Sequence, residues 1–330
     1  MICLKVLVIG YGSIGKRHVK NLLSLPNVEV IICSKHAKSD PNLKKKCKVF
    51  RSIEQCINEK PDIGFVTNYT NHHVPTAIKL AKSGMHLFIE KPLSNSMRGV
   101  PTLLNLVKKK KLVTLVGCNL RFHQCIKKIK EMLSKNEIGQ VISSHIECGS
   151  YLPDWHPYED YRNSYASRKE LGGGVVLTCV HEIDYLNWFF GMPTEVFSMS
   201  GKFSDLEINV DDISASLIKF GNKIIVELHL DYLQRPEFRS CKIIGTKGTI
   251  HWDSDSNIVR LYDAKKKKWI QKLRLQNFER NDMYVAELAH FIQCVKGKEK
   301  PINDLNQGIT TQQIALAIIK SSKTNKAVKL

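Results

Sequence analysis

Several features that would fix the class of this protein at once are missing from its sequence. No apolar run in the 330 residues approaches the ~20 consecutive residues that a helix needs to cross a bilayer, so no helical membrane span organises the chain. Ten cysteines are present without a C-x-x-C pair or a zinc-ligand spacing. That excludes a disulfide framework and a zinc module, leaves them as small apolar residues of a reducing compartment, and predicts no metal centre. Internal repeats, low-complexity linkers and disordered arms are also lacking. The apolar run 3–9 contains Lys5, has no small-residue cleavage site and leads straight into glycines, so it reads as a strand of a cytoplasmic protein rather than as a signal segment. Acidic residues are few, with 31 Asp and Glu against 50 Lys and Arg, for a net charge of +19. The lysine runs 44–46, 108–111 and 265–268 fall where helix ends or hairpin turns are expected, and no stacking aromatics alternate with them. Neither a nucleic-acid nor a membrane partner is therefore predicted. Solvated faces remain, or a basic surface that attracts a phosphorylated or carboxylated substrate.

What is present is ordinary globular composition, 43% hydrophobic and 25% charged, at a length that suits two domains. The first 120 residues alternate short apolar strands (5–9, 28–33, 63–67, 86–89, 113–117) with amphipathic helices (14–25, 74–83, 97–109). That is the pattern of βαβ units and a parallel sheet. After residue 122 a helix over 125–134 precedes alternating segments at 140–149, 195–202, 212–220, 223–230, 239–245 and 249–253, joined by hairpin signals, and a final helix spans about 304–321. The expected fold is a Rossmann-type α/β domain with a doubly wound parallel sheet over 1–121. An α+β domain with a mostly antiparallel open sheet follows over 122–330, its last helix packing back near the first domain. Such an open sheet predicts a homodimer or homotetramer.

Gly10-Tyr11-Gly12-Ser13-Ile14-Gly15 matches G-x-G-x-x-G between an apolar strand and a helix, the context that gives the pattern meaning. Gly10 permits the tight turn, Gly12 lets the backbone approach a pyrophosphate, and Gly15 lets helix and strand pack closely. The helix N-terminus then offers N–H groups and a positive dipole end to phosphates. At the end of the second strand an acid would bind the adenosine ribose and select NAD. The sequence reads Cys33-Ser34-Lys35-His36, with no acid before Asp40, and Ser34 with Lys35 suits a 2′-phosphate better. NADP(H) is expected in preference to NAD(H).

Glu90-Lys91-Pro92 follows a strand, and the loop Thr67-Asn68-Tyr69-Thr70-Asn71-His72 also leaves a strand's carboxyl end, where open α/β sheets bind ligands. In the second half, Leu171-Gly172-Gly173-Gly174 leads into an apolar helix carrying His181-Glu182-Ile183-Asp184. On one continuous helix Thr178, His181, Asp184 and Tyr185 share a face. With the glycine loop, these ordered motifs resemble the Gfo/Idh/MocA family of oxidoreductases over the whole chain. The wording of the second half is similar to members encoded among bacterial surface-sugar genes.

The resemblance implies that Lys91 lies beside the nicotinamide and the reacting carbinol and that His181 faces them, which makes these two the candidate catalytic residues. It further assigns Thr67, Asn68, Asn71, His72, Glu90, Pro92 and Arg121 to the cofactor. Many relatives carry an aspartate one turn before the histidine; here Leu177 and Thr178 stand in its place. Asn119, Trp155, Tyr161, Arg162, Tyr165, Thr178 and Asp184, together with Lys91 and His181, are the candidate contacts to a sugar, nucleotide sugar or cyclitol. The expected chemistry is reversible hydride transfer, with Lys91 polarising the substrate oxygen and His181 as general acid–base. A non-catalytic dinucleotide- and sugar-sensing regulator is one alternative, and a redox-assisted epimerase or lyase with retained cofactor is another.

Overall fold

The computed structural model describes residues 3–35, 43 and 45–330. Contacts divide the chain into two compact units, 1–118 with 280–309, and 119–279 with 310–330.

The first unit is built on β1 (Leu4–Ile9), α1 (Ser13–Leu23), β2 (Val28–Cys33), β3 (Lys48–Phe50), α2 (Ile53–Asn58), β4 (Ile63–Val66), α3 (His73–Lys82), β5 (His86–Glu90), α4 (Val100–Lys110) and β6 (Thr114–Gly117). All strand pairs are parallel, and the sheet order is β3-β2-β1-β4-β5-β6. Alternating residues feed two apolar layers. Leu7, Ile9, Ile31, Leu87 and Ile89 pack on one face, and Val6, Val8, Val30, Ile32, Phe65 and Phe88 on the other. Phe65 and Phe88 stack at 4.5 Å with Phe291 edge-on to both, so the late helix Arg280–Val295 completes the second layer. The strand order reverses between β1 and β4. The loops after these two strands therefore diverge and open a crevice at the carboxyl edge, the site of ligand binding in such sheets. The helix expected from residue 97 begins at Val100, because Gly99 caps it in a left-handed conformation (φ 79°).

The second unit carries α5 (Gln124–Ser134), β7 (Val141–Gly149), α6 (Val175–Thr178), α7 (Val180–Phe190), β8 (Glu195–Gly201), β9 (Ile213–Phe220), β10 (Ile224–Asp231), β11 (Phe238–Gly245), β12 (Gly248–Asp253), β13 (Ile258–Asp263), β14 (Lys268–Arg274) and β15 (Val328–Lys329). The helices α8 (Arg280–Val295) and α9 (Leu305–Thr324) close the chain order. Nine strands form one sheet in the order β14-β13-β12-β11-β7-β10-β9-β8-β15; β7 and β10 pair in parallel and every other neighbour is antiparallel. The mostly antiparallel open sheet is thus present, with more strands than the alternating segments of the sequence predict. The β13–β14 hairpin is masked in the sequence by its lysine-rich turn, where the Asp263 carboxylate accepts the backbone N–H groups of Lys265 and Lys266. Outward positions Phe197, Met199, Leu217 and Ile225 are exposed. Among the described residues no helix is long and apolar enough to cross a membrane.

Candidate active site

The glycine loop shows which glycines the protein itself requires. Gly10 sits at φ 104°, donates its N–H to the Cys33 carbonyl at 3.0 Å, and a Cβ there would lie 2.7 Å from the Thr67 carbonyl oxygen. A Cβ on Gly15 would collide with the carbonyl of Gly10. Gly12 differs: a Cβ there would meet nothing within 4 Å among the described residues, so their packing does not demand a glycine at this position. Gly12 is also the cap of α1, which has no side-chain cap and no acid in its first turn. The helix end therefore presents N–H groups and a positive dipole to open space, a seat for an anion. Thr67 Oγ1 donates to the Ile9 and Gly10 carbonyls at 3.0 and 3.1 Å, so this buried side chain braces the loop from below. Asn68 is tied to Thr76 at 2.9 Å. Tyr11 and Ile14 are half-buried, Ser13 is exposed, Asn71 is half-buried and His72 exposed. At the end of β2 the Ser34 N–H donates to the Phe50 carbonyl at 3.1 Å and Lys35 is exposed; His36 and Asp40 lie outside the described residues.

Glu90, Lys91 and Pro92 leave β5 on the same edge of the sheet. The Glu90 carboxylate is buried, with Oε1 2.7 Å from His18 Nε2, while Oε2 accepts the Lys91 N–H at 3.1 Å. His18 is buried on α1 with Phe65, Phe88 and Tyr284 around its ring. The Glu90 side chain thus fixes the backbone of Lys91 against the helix that begins at the glycine loop. Sequence reasoning missed His18, although its place one helical turn after Gly15, on the buried face of α1, was a usable signal. His73 links the loops after β4 and β5, its Nδ1 2.8 Å from the Pro92 carbonyl and its Nε2 2.9 Å from that of Asn68. Burial pushes the pKa of this ring down, and the two carbonyls pull the other way. The glycine loop, Thr67, Asn68 and Glu90-Lys91-Pro92 are therefore gathered at one edge, with Lys91 half-buried among them.

In the second unit the picture changes. The expected continuous helix is broken at Cys179 (φ −89°, ψ 33°), with α6 ending at Thr178 and α7 starting at Val180. The expected shared face is corrected accordingly. The Thr178 hydroxyl meets the Tyr232 hydroxyl at 2.7 Å, Asp184 and Tyr185 are fully buried, and His181 is half-buried in the first turn of α7. Asp184 is held by Arg121 through two hydrogen bonds of 2.7 and 2.9 Å, and Thr311 adds a third at 3.1 Å. Arg121 is 0% exposed and Asp184 1%, so neither side chain has surface to offer a ligand. The expected contacts of Arg121 to cofactor and of Asp184 to substrate are replaced by a buried pair that anchors α7. Asn119 is buried too.

The aromatic loop after β7 is ordered into short 3-10 turns at Leu152–Asp154, Tyr161–Asn163 and Tyr165–Ser167. Arg162 is exposed and engaged with Asp160 at 2.9 Å and Glu207 at 2.7 Å, and the Tyr161 hydroxyl accepts the Glu207 N–H at 3.3 Å. These residues pin the loop to the 204–209 segment, and two carboxylates neutralise the Arg162 charge that was expected to meet substrate. Trp155 is half-buried, donating to Ser150 Oγ at 2.9 Å and packing edge-on against Tyr232; Tyr165 is half-buried. Unanticipated by the sequence, Arg239 binds Glu182 at 2.7 Å and Cys148 Sγ at 3.2 Å. A hydrogen bond from Cys179, with Arg239 beside it, pulls the Cys148 thiol down to about 6 against the opposing effect of burial.

Two family profiles match the chain. Residues 4–118 match the oxidoreductase family's NAD-binding Rossmann fold, and residues 130–330 match its C-terminal alpha/beta domain. The myo-inositol 2-dehydrogenase of Thermotoga maritima is 26% identical over 99% of this chain and 98% of its own. Levoglucosan dehydrogenase, solved with NADH and levoglucosan, is similar at a TM-score of 0.88 and 17% identity, covering 99% of both chains. The WlbA dehydrogenase of Bordetella pertussis, solved with NADH and UDP-GlcNAcA, is similar at a TM-score of 0.85 and 17% identity, over 100% of this chain and 98% of that one.

Proposed function

Because the chain belongs to the Gfo/Idh/MocA family of oxidoreductases, we propose that it is an NADP(H)-dependent dehydrogenase or reductase. It acts on a secondary alcohol or ketone of a sugar, nucleotide sugar or cyclitol. The observation that carries this reading is the uncapped start of α1 at Gly12, open where the backbone of a dinucleotide-binding loop must admit a pyrophosphate. The residues present fit that group: two glycines are forced by close backbone approach, and the third leaves room that none of the described residues fills. Ser34 and the exposed Lys35 at the end of β2 support a 2′-phosphate, because no acid occupies that place.

When bound, the nicotinamide supplies or accepts the hydride, and the chain manages one proton and the position of the carbinol. Lys91, its backbone tied to Glu90, polarises the substrate oxygen and stabilises negative charge developing on it. His181 exchanges the hydroxyl proton, a task suited to a ring whose ordinary pKa of about 6.5 lies near neutrality. Arg121 and Asp184, bonded to each other, hold the helix that carries His181. Relatives named for inositol and levoglucosan support a polyhydroxylated ring as substrate.

Fluorescence titration with NADPH and NADH tests the reading. NADPH is expected to bind at least about tenfold tighter, the effect of one charge-assisted contact worth about 1.4 kcal/mol or more. Tighter NADH binding would overturn the NADP(H) assignment alone, and binding of neither would overturn the whole reading.

A further inference from the structure

Most arginines of the second unit are paired internally. Arg121, Arg162, Arg168, Arg239 and Arg260 each lie within 4.0 Å of a carboxylate. Arg235 has no carboxylate within that distance among the described residues, is exposed, and lies over an aromatic ring, its guanidinium carbon 3.2 Å from the centroid of Tyr151. Seating the guanidinium carbon on the ring does not use the fork's five N–H donors, which suits two-point recognition of a carboxylate or phosphate.

The fold brings this pair together through the sheet. β7 and β10 are parallel neighbours in register at Gly149 and Asp231, so both carboxyl ends emerge at one edge. The pairing continues outward through Ser150 N–H to the Asp231 carbonyl (3.2 Å) and Leu152 N–H to the Tyr232 carbonyl (3.0 Å). The Asp231 carboxylate accepts the Leu233 and Gln234 N–H groups, both at 2.7 Å, and so folds the chain into the turn that delivers Arg235 over Tyr151. A Cβ on Gly149 would crowd the Asp231 and Gln234 side chains, so any larger residue there would displace them. Tyr232, between the two, reaches the Thr178 hydroxyl, three residues before His181, and carries Trp155 on its ring.

We propose that Arg235, seated on Tyr151, is the recognition site for an anionic group, a carboxylate or phosphate, on the sugar-like substrate. This rests on the oxidoreductase reading above and narrows its substrate class to acidic or phosphorylated sugars. The formal charge of +19 would draw such substrates in.

The test is calorimetric titration of the full chain, with and without NADPH, using four probes. D-Glucuronate and D-glucose 1-phosphate carry the two anions, and D-glucose and myo-inositol are neutral. At least one anionic probe is expected to bind about tenfold or more tighter than D-glucose, and which one does so separates carboxylate from phosphate. Arg235→Gln should bring that probe to the neutral level with NADPH affinity unchanged, Arg235→Lys should keep part of the preference, and Tyr151→Leu should weaken it. Equal binding of charged and neutral probes, no binding of either anion, or a preference that survives in Arg235→Gln would each overturn the proposal. Loss of the preference in a protein that still binds NADPH leaves the oxidoreductase reading standing. Failure to bind NADPH strikes that reading instead, and the titrations without cofactor still decide the anion.

Discussion

The two units present their polar groups in opposite ways. In the first, what faces the crevice is mainly backbone: glycines at fixed positions, an uncapped helix end, and a lysine whose main chain is pinned by its neighbour's carboxylate. In the second, side chains of the expected types are present but largely taken up by one another, Arg121 by Asp184, Arg162 by Asp160 and Glu207, and Thr178 by Tyr232. A backbone site is dictated by residues that leave the main chain no alternative. A side-chain site depends on which partner each charge finds.

The strongest way to break this contrast is to remove one member of the buried pair in the second unit. Asp184→Ala leaves the Arg121 guanidinium buried without its counter-charge, a loss of about 3–5 kcal/mol. A thermal melt should fall by on the order of 10 °C. Removing both charges with Arg121→Met and Asp184→Leu should cost less than Asp184→Ala alone, because no orphaned charge remains. If Asp184→Ala left the melting temperature unchanged and weakened NADPH binding, the pair would be a ligand contact after all and the contrast would fail.

Lys91 sharpens the other side. Lys91→Ala is expected to lower turnover about 100-fold or more, about 2.7 kcal/mol of transition-state stabilisation, with NADPH affinity nearly intact. Steady-state kinetics beside a binding titration separates the two quantities. Unchanged turnover would remove Lys91 from the chemistry and reduce the first unit to a binding platform.

This asymmetry also explains what the sequence disclosed. The parallel sheet, the glycine loop and the Glu90-Lys91-Pro92 turn were legible because strand periodicity and glycine placement act locally. The broken helix at Cys179 was not: apolar residues run through Val175, Val176, Leu177 and Val180 without a helix-breaking residue, and the tertiary contact of Thr178 to Tyr232 has no local signature. The Arg121–Asp184 pair joins residues 63 apart and could not be read from either motif alone. Arg162 and Arg235 look alike in sequence, each in a loop beside tyrosine and proline or acidic residues. Only folding shows that the first is neutralised by Asp160 and Glu207 while the second stands over Tyr151 with no carboxylate within 4.0 Å among the described residues.

His18 and Glu90 give the smallest and most discriminating effect, because here the first unit also uses a buried side-chain pair. Glu90 needs a donor for Oε1 so that Oε2 stays aimed at the Lys91 N–H, and His18 supplies it at 2.7 Å from inside an aromatic box. His18→Leu keeps the box filled but leaves a buried carboxylate oxygen without its donor, a cost of about 1–3 kcal/mol that should appear in the melt and as a several-fold fall in turnover. His18→Gln retains an N–H at the same face of α1 and should recover most of both, to within about 1 kcal/mol. The two substitutions part the roles. If Gln restores stability but not turnover, the imidazole does more than donate to Glu90. If Leu lowers the melting temperature without touching turnover, the pair is scaffolding like Arg121–Asp184, and the position of Lys91 is set by the β5 backbone alone.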